Sequence, residues 1–577
     1  MPGLETFPLG LWDYVVFVTY FILLSAVGLW AGRKKKLDSE DYFLAGRSLP
    51  WYVVGTSFIG ANISSEHFIG MIGAAYVFGI CVALSEWSNI WVFSLLIWFF
   101  IPFLLMSRIV TMPEFLERRF GPVVRQFFAI MTLISNVIAF LAAVLYGGGL
   151  ALQALFGWNL WACVIVLGLL AGIWSIYGGL RAVAYVEFFM VTVMLAGGLL
   201  VTVLGLYSLS GDAHSLVAGW KKMVVLNQAG SGVWKEAVAR TAPFIAHVDH
   251  YNRLSVIQPI THVVAPWPHI LVGFLSISLW YNVGNQFMIQ RVLGAKDIYH
   301  ARMGIVLAGF LKILLPLVIV VPGLILFALH PQAMLLPWKD IRPAADKGYV
   351  TMLQTLIPVG LRGLFLAALF GAIQSSLNAV INSTATIFTI DIYKRLLRPS
   401  ASERHYVRVG VASSVVVTII GILLAPGISH VGKGLFVYIH TLFAFFAPPF
   451  ASVFLLGILF RRINTPGATV TLFSGFAFAI LVKLFIQYVP SHPAWMEPFA
   501  MQAFAVWLFC TLTCVTVSLL TPPPAPEKIT DQLTFNWRTL NITQHLGGPW
   551  YRNVLFWWLV FVVIVLALII LLSGLFV

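Results

Sequence analysis

Eight consecutive residues, Gly60-Ala61-Asn62-Ile63-Ser64-Ser65-Glu66-His67, interrupt an otherwise apolar stretch over 50–80. Asn and Ser side chains hydrogen-bond to their own neighbouring backbone and compete with a helix there. Carbonyls freed at such a break are tolerated inside a membrane where they line a cavity or bind something. Together with hydroxyls they suit a hard cation such as Na⁺. Polar groups recur within other apolar stretches: Glu86 and Asn89; Ser276, Ser278, Tyr281, Asn282, Asn285 and Gln286; Lys312; Gln374, Ser375, Ser376 and Asn378; His440. A single Ser, Thr or Asn of this kind serves as hydrogen-bonding glue between helices. Glu66, Glu86, Lys312 and His67 together ask for more, because ionisable groups at membrane depth pair with one another or line a polar chamber. Lys312 could neutralise Glu86, or either could hold a ligand hydroxyl; the sequence leaves the pairing open.

The elements that must carry these residues are long apolar runs. The chain has 577 residues, 60% hydrophobic and only 10% charged, against about 25% charged in an average soluble domain. Its mean hydropathy is +0.93. That composition excludes a water-soluble enzyme. Runs of about 20 apolar residues read as membrane-spanning helices, not as the short alternating strands of a barrel. Fourteen such segments are expected, near 9–32, 50–80, 82–107, 123–154, 159–179, 182–209, 266–290, 300–329, 359–393, 406–426, 434–460, 466–489, 498–521 and 554–577. The first has no preceding Lys or Arg and no small-residue cleavage site, so it reads as a retained helix.

The net charge is +14, and topology accounts for it. Arg33, Lys34, Lys35 and Lys36 follow the first segment, which places that end in the cytoplasm. Threading the remaining segments alternately puts most of the 35 Lys and Arg on the same side. Both termini then face outside, at a plasma membrane or a bacterial inner membrane, and the basic loops require no nucleic-acid partner. Cys81, Cys163, Cys510 and Cys514 all lie in apolar segments and read as buried thiols. The Pro-rich stretch 522–527 is a stiff linker to the last helix.

Several motifs fail on their context. Gly427-Ile428-Ser429-His430-Val431-Gly432-Lys433-Gly434 approaches a phosphate loop, but it lacks the closing Ser or Thr and follows a helix, not a strand, so no nucleotide is expected. His247-Val248-Asp249-His250 has no third ligand cluster and reads as a solvated loop. Asn541-Ile542-Thr543 falls on the expected cytoplasmic side, where it would not be glycosylated.

At the residues already named, the sequence resembles the sodium:solute symporter family, and most closely its sodium/glucose cotransporter branch. The matching stretches include Asp41-Tyr42-Phe43-Leu44-Ala45-Gly46-Arg47, Asn62-Ile63-Ser64-Ser65-Glu66-His67-Phe68-Ile69-Gly70, Glu86-Trp87, Thr111-Met112-Pro113-Glu114-Phe115 and Tyr177-Gly178-Gly179-Leu180. Others are Gly360-Leu361-Arg362-Gly363-Leu364, Pro448-Pro449 and Asn382-Ser383-Thr384-Ala385-Thr386-Ile387-Phe388-Thr389-Ile390-Asp391-Ile392-Tyr393.

The resemblance implies an all-α integral membrane protein of 14 transmembrane helices, with a five-plus-five inverted-repeat core of the leucine-transporter type. An N-terminal helix and cytoplasmic loop (1–49) would precede the first repeat and its outer loop (50–265). The second repeat (266–465) and the C-terminal helices (466–577) would follow. It implies a Na⁺ site from Gly60, Ile63, Ala372, Ser375 and Ser376. It implies a sugar site from Asn62, His67, Glu86, Asn89, Ser278, Lys312 and His440, with Tyr281 and Asn282 at the gate.

The chain also departs from the family pattern. Val186, Glu187 and Met190 stand where Thr-Asp and a later Gln are frequent. Asn378 and Ala379 replace the hydroxyls of a second sodium site. Asn282 replaces a tryptophan and His440 a sugar-binding glutamine. One Na⁺ per substrate is therefore expected, with a glucose-, galactose- or mannose-like sugar or an inositol-like polyol as the solute. Na⁺ is the coupling ion, no organic cofactor is expected, and the remaining partner is the lipid bilayer. A membrane enzyme would need an acid cluster on a loop, and a passive channel would not need a cation site beside a solute site.

Overall fold

The computed structural model describes residues 9–33, 38–431, 435–536, 538 and 542–573. Lys34, Lys35, Lys36, Gly432, Lys433, Gly434 and Asn541 lie outside the described residues. Among the described residues the chain is helical, and its β pairing is limited to two single-residue bridges, Leu49 with Ala295 and Gln258 with Pro266. Among the described residues, eleven helices are long and apolar enough to cross a membrane. The protein is a multi-pass membrane protein.

The difference from fourteen arises at three places. The segment 50–80 divides into a short helix, Trp51–Asn62, and a piece that starts at Glu66 and runs on to Met106. The segment 266–290 gives an apolar helix over His269–Gly284, interrupted at Asn285. The segment 159–179 gives Leu160–Ala171 as its apolar portion. That portion continues to Gly179, which turns the chain into the next helix with φ +57° and ψ −155°. This backbone favours glycine, and a Cβ there would lie 2.3 Å from the Tyr42 carbonyl oxygen.

The span Arg362–Leu397 lies at the centre of the bundle. Of its apolar core, 94% is buried, against 17% for the last helix, Val554–Leu571. The Leu160–Ser210 pair packs along the central helix, and Trp51–Asn62 packs along Ile298–Leu329. The second contact needs small residues, because a Cβ on Gly55 would lie 2.4 Å from the Gly304 carbonyl oxygen. This approach brings Lys312 beside the end of Trp51–Asn62. Leu169, Leu481, Leu512 and Val563 stay exposed on outward faces, as a lipid-facing surface allows.

Several bases expected in cytoplasmic connections are buried. Arg119 donates to the carbonyls of Gly457 (2.9 Å) and Ile463 (2.7 Å), and Arg302 to that of Ile97 (3.0 Å). Burial pushes the Arg119 guanidinium down to about 10, which still leaves it charged at neutral pH. These arginines tie helix ends together.

The first helix, Leu11–Gly32, is fastened to the central helix by a buried carboxylate. Asp13 accepts from the backbone N–H groups of Gly10 (2.9 Å), Gly360 (3.0 Å) and Gly363 (2.9 Å). It thereby occupies the electropositive N-terminus of Arg362–Ile387, whose first N–H groups have no partner within the helix. Asp13→Ala should lower stability by about 1–3 kcal/mol through these stranded donors, with part of the loss recovered in Asp13→Asn. The unfolding midpoint of the purified protein in detergent reads the effect; equal midpoints for Asp13→Ala and the parent would refute it.

Candidate cation and solute site

The helix Trp51–Asn62 stops because Ile63 is extended (φ −85°, ψ 124°). The Ser64 hydroxyl then accepts from Glu66 N (3.1 Å), and the Ser64 carbonyl accepts from His67 N (3.1 Å). The chain resumes as a wide π turn, Glu66–Met71. Carbonyls at the end of the first piece have lost their helical partners and meet the central helix instead. Ser375 Oγ donates to Gly60 O (2.7 Å) and lies 3.5 Å from Ile63 O and 3.2 Å from Ala372 O. Ser376 Oγ lies 2.7 Å from Ile63 O and 3.2 Å from Ala61 O. Gly60, Ile63, Ala372, Ser375 and Ser376 are thus one cluster of neutral oxygens, with Ala61 a member that the sequence did not single out. An all-oxygen set without carboxylates fits a hard monovalent cation better than a divalent one.

A second break mirrors the first. The π turn Trp280–Gly284 ends at Asn285, which is extended (φ −83°, ψ 128°). The helix Gln286–Leu293 begins beyond it. Gln286 spans to a neighbouring loop, accepting from Met112 N and donating to Val110 O (3.0 Å each).

Between the breaks lies a small cavity of about 60 Å³ lined by Asn62, His67, Glu86, Asn89, Ser278, Tyr281, Asn282, Lys312 and His440. Every residue expected at the solute site or its gate is therefore brought to one chamber. The structure also settles the pairing that the sequence left open. Lys312 Nζ donates to both Glu86 Oε2 and Asn62 Oδ1. The other Glu86 oxygen faces His67 Nε2 at 3.5 Å. Asn62 Nδ2 donates to the Tyr281 hydroxyl (2.8 Å), and Asn282 Nδ2 to Asn89 Oδ1 (2.9 Å). All of these elements meet only in the folded bundle, with Lys312 lying 226 residues beyond Glu86 in the chain.

Sequence reasoning left other lining residues unassigned. Glu66 was visible as an intramembrane acid, yet it had no place in the expected site; its Oε1 lies 3.2 Å from His440 Nδ1. Ser85, Met71, Ile277 and Phe443 complete the wall. Beside the cation cluster, Glu187 is fully buried with Arg291 at 2.9 Å and accepts from the Ser57 hydroxyl. The departure noted at Glu187 is thus an ion pair close to Gly60, where a Cβ would lie 3.1 Å from Glu187 Cβ.

Comparison with known proteins agrees with this geometry. The family model described as sodium:solute symporter family matches residues 42–475. The chain is 34% identical to a sodium/glucose cotransporter of Vibrio parahaemolyticus, over 92% of this chain and 95% of that one. It is 33% identical to a sodium/myo-inositol cotransporter of Mus musculus, over 92% of this chain and 76% of the relative. Among solved structures, a Na⁺-coupled sialic acid symporter in a substrate-bound outward-open state superposes with a TM-score of 0.71 at 21% identity, covering 89% of this chain and 99% of that one. The last of these shows the shared fold. The chain belongs to the sodium:solute symporter family, a family of secondary transporters and not of enzymes.

The buried charges make the chamber sensitive to losing either partner. Lys312→Met leaves Glu86 without its cation and should cost about 3–5 kcal/mol. Lys312→Met combined with Glu86→Gln should recover much of that, since the unpaired charge is then gone. Melting midpoints of the three proteins measure it; a double variant no more stable than Lys312→Met would refute the pairing.

Proposed function

We propose that this protein is a secondary active transporter that couples inward Na⁺ movement to uptake of a neutral sugar of the glucose, galactose or mannose type. An inositol-like polyol, or another small organic solute, is the second reading, supported by the near-equal likeness to the sodium/myo-inositol cotransporter. The observation that carries the proposal is the shared origin of both sites. The interruption at 60–67 supplies carbonyls toward Ser375 and Ser376 and side chains toward the chamber.

In the proposed cycle, Na⁺ is the driving cargo. It would be held by Gly60, Ile63 and Ala372 carbonyls with the Ser375 and Ser376 hydroxyls. The solute would bind among Asn62, His67, Glu86, Asn89, Ser278, Lys312 and His440, behind Tyr281 and Asn282. Mixed donors and acceptors suit hydroxyl-rich neutral molecules, because specificity then follows from satisfying each buried hydroxyl. One Na⁺ per solute is proposed, since Asn378 and Ala379 offer no hydroxyl and Glu187 is engaged by Arg291 and Ser57. A potential of 100 mV supplies about 2.3 kcal/mol per charge, and a tenfold Na⁺ gradient about 1.4 kcal/mol. Their sum supports accumulation of several hundredfold with a single ion, so no nucleotide is needed. The proposed setting is a plasma membrane, or the inner membrane of a bacterium, crossed fourteen times around a five-plus-five inverted repeat with both termini outside.

Uptake of labelled glucose, galactose, mannose and myo-inositol into proteoliposomes, with inward Na⁺ or K⁺ gradients, tests the reading. Uptake should require Na⁺ and carry current. Ser376→Ala should raise the half-saturating Na⁺ concentration by roughly tenfold, as expected for a lost ligand worth about one hydrogen bond. Uptake indifferent to Na⁺ would end the proposal, and a flux ratio of two Na⁺ per solute would end the stoichiometry.

A further inference from the structure

The two chamber histidines have their protons assigned oppositely by their neighbours. His67 Nδ1 accepts from Ser64 N–H (3.3 Å), so its Nε2 carries the hydrogen that faces Glu86. His440 Nδ1 lies 3.0 Å from the Phe436 carbonyl oxygen and 3.2 Å from Glu66 Oε1. Both of those are acceptors, so Nδ1 carries the hydrogen, and in the neutral ring Nε2 is left as an acceptor. The ring is held in place by Phe436, at 4.1 Å between centroids, and by Phe499 at 5.1 Å.

The two walls of the chamber consequently differ in spare capacity. On one wall, Glu86 has both oxygens engaged, and Asn62 both of its amide atoms. On the other, among the described residues Glu66 Oε2 has no hydrogen-bond partner, and neither has His440 Nε2. Asn282 Oδ1, also at the cavity, is buried and without a hydrogen-bond donor. With the His440 ring neutral, the Glu66–His440 wall can only accept.

Resting on the symport reading above, we propose that Glu66, oriented by His440, is a specificity-determining residue that takes hydroxyl hydrogens of the solute. Glu66 Oε2 and His440 Nε2 together receive a pair of neighbouring hydroxyls, each donating. The solute class is thus one with an unsubstituted vicinal diol presented to this wall, as a cyclic polyol or a pyranose ring does. An ether, or a fluorine in place of a hydroxyl, brings an acceptor against an acceptor and is rejected. His440 here differs from a glutamine, whose amide could also donate.

Binding is read separately from transport, by the melting shift of the purified protein with D-glucose, D-galactose, D-mannose or myo-inositol and with their mono-deoxy and deoxyfluoro forms, in Na⁺. For the solute that binds, replacement at either of two adjacent positions should weaken binding by roughly tenfold or more, fluorine no better than hydrogen. In Glu66→Gln the penalty for fluorine at one of those positions should shrink several-fold, while the half-saturating Na⁺ concentration, read in the absence of solute, stays unchanged. His440→Gln should do the same at the neighbouring position. A parent protein with no such adjacent pair, or that binds none of these solutes, overturns the inference without reference to any variant. So does a Glu66→Gln or His440→Gln protein that keeps the parent's profile, or one whose Na⁺ affinity falls together with solute affinity. Loss of Na⁺ dependence in uptake, with the binding profile intact, would instead count against the symport reading alone.

Discussion

Two residues of non-helical chain, Ile63 and Ser64, decide where everything else in the bundle must go. In a bilayer the carbonyls released there have no water to turn to, and each would cost several kcal/mol if left bare. Ser375 and Ser376 answer them from the most buried of the eleven membrane-length helices among the described residues. That helix is fixed by Asp13 at its N-terminus and packed against the Leu160–Ser210 pair along its length. The break is therefore a permanent feature paired with a specific partner.

The chamber beside it follows a second constraint, which is charge. Lys312 and Glu86 cancel, with Asn62 bridging Lys312 to the backbone break. Placing well-matched ions in a low-dielectric interior gains little net stability compared with apolar packing. Their retention points to recognition of something polar. The proposed solute is neutral for the same reason: a further charge would need its own buried counter-ion, while hydroxyls need only donors and acceptors. Glu66 complicates the account, because among the described residues His440 is its one ionic partner. That asymmetry gives the chamber one satisfied wall and one receptive wall.

Much of this was legible as exceptions. Glu86, Lys312 and His67 stand out because they interrupt apolar runs, and the cation cluster stands out because Asn and Ser break a helix at a defined place. The partnerships were not legible, since they join residues hundreds of positions apart. Glu66 escaped for a local reason. The chain over Glu66–Met71 is a π turn, not a regular α-helix, and both Glu66 and His67 reach the cavity. The count of crossings was blurred by the same breaks that create the site, at Ile63 and at Asn285. Arg119, Arg291 and Arg302 read in the sequence only as bases of the connections, and their burial against carbonyls and Glu187 depends on tertiary contacts no local pattern records.

Coupling between ion and solute, as proposed, requires that occupying one site change the free energy of the other, and the effect must be equal in both directions. Separate pockets joined by a long chain of contacts would need several elements to shift in concert. Here a single stretch belongs to both. Gly60, Ala61 and Ile63 present carbonyls to the serines, whereas Asn62, between them, presents its amide to Lys312 and Tyr281. In the proposed cycle, an ion drawing those carbonyls toward Ser375 and Ser376 would fix Asn62, and with it the orientation of Lys312, Glu86 and Tyr281. Conversely, a solute that holds Tyr281 and Asn62 in place removes freedom from the carbonyls that would otherwise let the ion go. The alternation of backbone and side chain along four residues is sufficient to link the two sites, and no further relay is required.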